Sequence, residues 1–142
     1  MKLSIRVVPP ADRDEKFYAA IAPFFMSRAV RKEMPYLQDT DSRIWFLALN
    51  PDSRTLGIAG LDLKEKTSTL AGHFYLSSLY VLPEFRKHGV GHALLEARLK
   101  RCLEGLDVRT MCVPEIAPAY LRRGFQAIFT KGKYTHMKRA GR

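Results

Sequence analysis

A chain of 142 residues with 24 Lys and Arg against 14 Asp and Glu has a formal charge of +10, and its length suits one α/β or α+β domain, residues 1–142, burying roughly 68% of its unfolded surface. An apolar share of 46%, with 9 Gly, 8 Pro and 2 Cys, excludes collagen-like, strongly disordered and disulfide-stapled classes. The charge is uneven: residues 1–71 hold 11 basic and 9 acidic side chains and residues 72–142 hold 13 and 5, so the second half suits an anion, either nucleic acid or a small polyphosphate.

In chain order, LSIRVVPP alternates as a strand that Pro9 and Pro10 end, and Asp12 to Met26 reads as a helix with Phe17, Ala20, Ile21, Phe24 and Phe25 on one stripe. Pro23 interrupts it, either kinking the helix or dividing it from a second helical segment near residues 27–36. RIWFLALN and TLGIAGLDLKE form a hairpin around NPDSR, and LAGHFYLSSLYVLP supplies the longest strand signal. EFRKHGVGHALLEARLKRCLEG then switches to helical periodicity on Val90, Ala93, Leu94, Ala97 and Leu99 or Cys102, with Gly105 placed to stop it. VRTMCVP is a further strand, IAPAYLRRGF a short helix, and FQAIFTKGKYTHMKR a closing hairpin about Gly132.

The sharpest local feature is Arg86-Lys87-His88-Gly89-Val90-Gly91, which follows a strand and opens a helix. Such a junction aims unpaired backbone N–H groups and the positive end of the helix dipole at one point in space. Gly89 and Gly91 let the backbone turn and approach an anion, and Arg86 and Lys87 add charge. A glycine-containing turn with an ordinary helix cap is the competing reading. The spacing is neither that of a Walker A loop nor that of a dinucleotide fingerprint.

This junction and the order of elements around it resemble the GNAT-type N-acetyltransferase family, whose pyrophosphate loop reads [RQ]xxGx[GA], matched by Arg86, Gly89 and Gly91. The resemblance runs from IRVVPPAD to GKYTHMK. It implies a mixed, mostly antiparallel central sheet flanked by helices, and acetyl-CoA as cosubstrate. The CoA pyrophosphate would lie on residues 87–91 (Lys87, His88, Gly89, Val90, Gly91) with Arg86, and the pantetheine arm beside Leu79, Tyr80 and Val81, where the strand splays from VRTMCV. An amine would attack the thioester directly in a ternary complex, with a backbone N–H near Val81 stabilising the oxygen that becomes negative.

The same resemblance implies that Tyr120, in Tyr120-Leu121-Arg122-Arg123-Gly124-Phe125, protonates the departing thiolate, as a phenol can at neutral pH. The family often has Asn seven positions before this tyrosine, where this chain has Val113. Relatives also place Glu on the strand before the loop, but HFYLSS contains none. The candidate bases are therefore His73 and Asp62, with Tyr75 or Ser77 orienting a water. Packing and surface hydrogen bonding remain the alternative roles for these residues.

His73, His88, His92 and His136 show no metal-binding pattern, and no metal is expected. Cys102 and Cys112 read as free thiols. The N-terminus lacks the apolar core of a secretion signal, and no run approaches the roughly 20 apolar residues that span a bilayer, so the expected location is cytoplasmic, off the membrane. Arg98, Lys100, Arg101, Arg122, Arg123, Lys131, Lys133, Lys138 and Arg139 exceed what one CoA needs. They suit an acceptor amine on a small molecule, a protein or an aminoacyl RNA, or else form a solvated surface. The final hairpin and its strand edge make a homodimer an expectation. The alternative function is a basic nucleic-acid-binding or interaction protein on a catalytically inactive GNAT-like scaffold.

Overall fold

The run IWFLAL carries no polar residue, as a strand covered on both faces requires. In the computed structural model, which describes residues 2–102 and 104–141, it forms β2 (Ile44–Leu49). The other elements are β1 (Ser4–Val8), α1 (Glu15–Phe25), α2 (Arg28–Glu33), β3 (Thr55–Lys64), β4 (His73–Val81), α3 (Val90–Arg101), β5 (Asp107–Cys112), α4 (Ala117–Leu121), β6 (Gln126–Lys131) and β7 (Tyr134–Arg139). Among the described residues the sheet has seven strands in the order β1-β2-β3-β4-β5-β7-β6. It is mixed and mostly antiparallel, with β4 and β5 parallel, and helices flank it.

The chain forms two compact units, residues 1–61 with 78–101 and residues 62–77 with 102–142. In the first, Trp45 and Leu47 join Val8, Phe17, Ile21, Phe24, Val30, Ile58 and Tyr80 in one core cluster under α1 and α2. Strand alternation turns Phe46 and Ala48 to the opposite face, where they are equally buried and α3 packs on β2. In the second unit β5 pairs with β7, β7 with β6, and α4 packs on β6 and β7.

Local chemistry sets the boundaries. α1 starts at Glu15, later than the sequence suggests, because Asp14 accepts the Phe17 N–H at 2.8 Å and acts as N-cap. Pro23 lies inside α1 near its end, and the chain restarts at Ser27, whose hydroxyl accepts the Val30 N–H at 3.2 Å to cap α2. The segment joining α2 to β2 has little regular structure, but Asp39 ties it down, accepting from Arg13 at 2.7 Å and from the Trp45 indole at 2.8 Å.

One expectation is corrected. Arg98 is no surface cation: it is 1% exposed on α3, and its guanidinium donates to the Gly60 carbonyl of β3 at 3.2 Å and to Leu94 O at 3.3 Å. Position 98 continues the buried stripe of Val90 and Leu94 at helical spacing, so its stem packs and its head finds backbone acceptors. Replacing Arg98 with Ala is expected to lower stability by about 2–5 kcal/mol, the range for emptying a large buried side chain, as measured by urea unfolding. Arg98→Met should recover part of that loss by refilling the stem volume.

Candidate functional site

In the first unit, β4 ends at Val81 and a turn at Pro83–Phe85 leads to Arg86, Lys87, His88 and Gly89, all exposed, before α3 begins at buried Val90. Gly89 has φ +83°, a left-handed conformation that only glycine adopts without strain, and its carbonyl accepts the Ala93 N–H at 2.9 Å to start the helix. Helix geometry then leaves the N–H groups of Val90 and Gly91 without intrahelical acceptors. A Cβ on Gly91 would meet only Val81 Cγ2, at 3.9 Å, an ordinary contact. Nothing in this chain requires glycine there, so its bare Cα suits the close approach of a ligand.

Arg86 has partners within the protein. Its Nε donates to Val81 O at 2.9 Å, its Nη2 donates to Glu33 Oε2 at 2.9 Å, and the guanidinium lies 5.2 Å from the centre of the Tyr80 ring. The Tyr80 hydroxyl donates to the other Glu33 oxygen at 3.0 Å. Burial, then the bond to Glu33, raise the Tyr80 pKa above its ordinary value. The Tyr80 side chain therefore packs in the core cluster, and what this position can offer a cofactor is backbone. Glu33 gave no sequence signal, since 53 residues separate it from Arg86.

Leu79 and Val81 are half-buried on β4. Just before them, Ser78 sits at φ +53° in mid-strand, and the Arg43 guanidinium donates to its Oγ at 3.1 Å. That backbone departure from strand geometry was also invisible in the sequence.

In the second unit, β4 pairs with β5 from His73–Asp107 to Leu76–Thr110, and both strands run on past the last pair. Thr110 Oγ1 donates to Leu76 O at 2.9 Å. His73 is buried on β4, with Nδ1 3.0 Å from Ala71 O; a carbonyl only accepts, so Nδ1 carries the proton and a neutral ring keeps its lone pair on Nε2. Asp62 is buried on β3 with Lys64 at 3.8 Å. Tyr120 is buried on α4, edge-on to Phe125 at 5.3 Å. The Tyr75 phenol titrates above its ordinary value, first from burial and then from the charges of Asp62 and Tyr120. Tyr75 thus lies within electrostatic reach of both Asp62 and Tyr120.

Cys112 is buried, which pushes its thiol up, away from nucleophilic use. Among the described residues, no group of three His, Cys, Asp or Glu is placed to hold a metal, and no helix is long and apolar enough to cross a membrane.

Residues 40–127 match the family model described as "Acetyltransferase (GNAT) domain". No curated protein matches the chain. Among solved structures, ElaA of Escherichia coli aligns with TM-score 0.75 at 15% identity over 97% of this chain and 99% of that one. An acyl-CoA N-acyltransferase from Pseudomonas aeruginosa aligns with TM-score 0.75 at 19% identity over 98% and 100%. A structure described as histone acetyltransferase HPA2 and related acetyltransferase, from Corynebacterium glutamicum, aligns with TM-score 0.71 at 16% identity over 98% and 97%. At these identities the likeness is one of fold.

The raised Tyr75 pKa has a sign that can be tested. A phenol that holds its proton more tightly when folded contributes stability that is complete below the unfolded value near 10 and is lost as pH climbs through the folded value. Tyr75→Phe should therefore flatten the fall in unfolding free energy above about pH 10, measured by denaturant titration, and remove one late step from the alkaline tyrosinate absorbance curve.

Proposed function

Because the chain belongs to the GNAT acetyltransferase family, we propose that it transfers the acetyl group of acetyl-CoA to a primary amine, which attacks the thioester directly while both are bound. The observation that carries this reading is the opening turn of α3, where Gly89 is fixed at φ +83° and a Cβ on Gly91 would meet, among the described residues, only Val81 Cγ2 at 3.9 Å. Anions favour such a helix terminus through its free N–H groups and dipole. The N–H groups of Gly89, Val90 and Gly91 would bind the pyrophosphate, with Lys87 and His88 exposed beside them. Arg86 would act on the same anion at longer range, its fork already engaged by Glu33. Backbone groups of Leu79, Tyr80 and Val81 would hold the pantetheine arm.

The acceptor is an amine on a small molecule, a protein or an aminoacyl RNA, and the excess positive charge suits acceptors carried by an anionic body. On attack, the amine nitrogen bonds to the acetyl carbon, the C–S bond breaks, the nitrogen loses one proton and the sulfur gains one. Tyr120 supplies the proton to sulfur. His73, through Nε2, or Asp62 receives the proton from nitrogen, and solvent returns it to Tyr120.

Titration calorimetry should give saturable acetyl-CoA binding. Failure to bind it, together with salt-sensitive binding of an oligonucleotide, would overturn this reading in favour of a nucleic-acid module. Gly91→Ala separates ligand from fold: it should leave stability unchanged or raised by up to about 1 kcal/mol while weakening acetyl-CoA binding. Tyr120→Phe should slow thiol release about a hundredfold or more with acetyl-CoA affinity little changed. Equal loss of rate and affinity would assign Tyr120 to binding instead.

A further inference from the structure

A cavity of about 590 Å³ lies within the first unit, between α1 and the neighbouring ends of β2, β3 and β4. Its volume falls in the range of small-molecule sites. The space exists because α1 presents Ala19, Ala20 and Pro23 where larger side chains would fill it, above a floor of half-buried Leu49 and Leu82 backed by buried Phe24 and Leu47. Arg6, Lys16 and Arg54 also line it, and among the described residues no Asp or Glu does. An apolar bed whose charged lining residues are all cations, with the hydroxyls of Ser27, Ser53 and Thr55 as its neutral polar groups, is complementary to a molecule with an apolar body and an anionic head.

The cations are available for exchange. Arg6 contacts Asp14 at 3.4 Å and Arg54 contacts Glu84 at 3.3 Å, both Arg54 and Glu84 being more than half exposed, and such pairs contribute little to stability. Arg54 is also steadied with its guanidinium 5.1 Å from the Phe85 ring centre. A carboxylate offers the two oxygens that an arginine fork matches. A polyphosphate would leave the apolar floor unused, a neutral hydrocarbon would leave the cations unused, and an alkylammonium would be repelled.

We propose that this cavity binds an amphipathic carboxylate, its apolar chain on the floor and its carboxylate among Arg6, Lys16 and Arg54. The site is independent of the acetyl-CoA reading, since none of its lining residues belongs to the 86–91 turn.

The probe is octanoate, titrated calorimetrically into the full chain at low salt, with 1-octanol and octylammonium as controls. Expected are saturable octanoate binding that weakens with salt, octanol binding at least about tenfold weaker, as loss of a charge-assisted contact implies, and no octylammonium binding. Ala20→Trp, which fills the cavity, should abolish octanoate binding and leave acetyl-CoA binding intact. Arg54→Glu, on the surface, should weaken octanoate about tenfold and leave octanol unchanged. The proposal is overturned if octanoate does not saturate, if octanol or octylammonium matches it, or if neither variant alters its affinity.

Discussion

The seat of α3 on β3 governs where the proposed anion site falls. A Cβ on Gly57 would lie 3.1 Å from Tyr80 O, 3.1 Å from Val90 Cγ1 and 3.3 Å from Leu94 Cδ1, so the glycine lets the first turns of the helix lie directly on the strand. Three residues further along β3, the Gly60 carbonyl receives Arg98 from the last turn of the same helix. Between these two contacts the helix has little freedom to slide or lift. Its first free N–H groups are thereby fixed beside the end of β4, and preorganised donors of this kind cost nothing further to orient when charge arrives.

Charge around that turn is arranged by the protein before any ligand is present. Glu33 bridges Arg86 and Tyr80, which joins α2 to the turn and offsets the charge of Arg86. The proposed attraction for a phosphate would then rest chiefly on backbone dipoles, with Lys87 and His88 exposed beside them. Backbone recognition is indifferent to most side-chain changes but sensitive to whether Cβ atoms are present, and this is why two glycines carry the motif. A similar economy holds at Ser78, where a buried arginine on the segment before β2 secures a strained residue in mid-strand.

The strands and helices were legible because apolar runs and periodicity follow from burial, and the 86–91 turn because glycine spacing reflects a steric requirement of its own. Arg98 departs from the expected surface: its charge suggests solvent, but its place on the stripe of Val90 and Leu94 points inward. Glu33 could not be found, because an ion pair across 53 residues leaves no local pattern. Nor could the φ of +53° at Ser78, since serine does not advertise the left-handed region as glycine does. The placement of Tyr75 within reach of both Asp62 and Tyr120 depends on tertiary structure, so the strand position of Asp62 and the family resemblance at Tyr120 suggest the two separately without joining them.

The central claim is that the opening turn of α3 binds the phosphates of the cosubstrate through backbone N–H groups. Its most direct test is to follow the amide resonances of Gly89, Val90 and Gly91 in the 15N-labelled protein during titration with acetyl-CoA and, separately, with acetyl-pantetheine, which lacks the pyrophosphate. Large saturable shifts at these three amides with acetyl-CoA, absent with acetyl-pantetheine, are the predicted result. Equal shifts with both ligands, or none with acetyl-CoA while it binds elsewhere, would contradict the account.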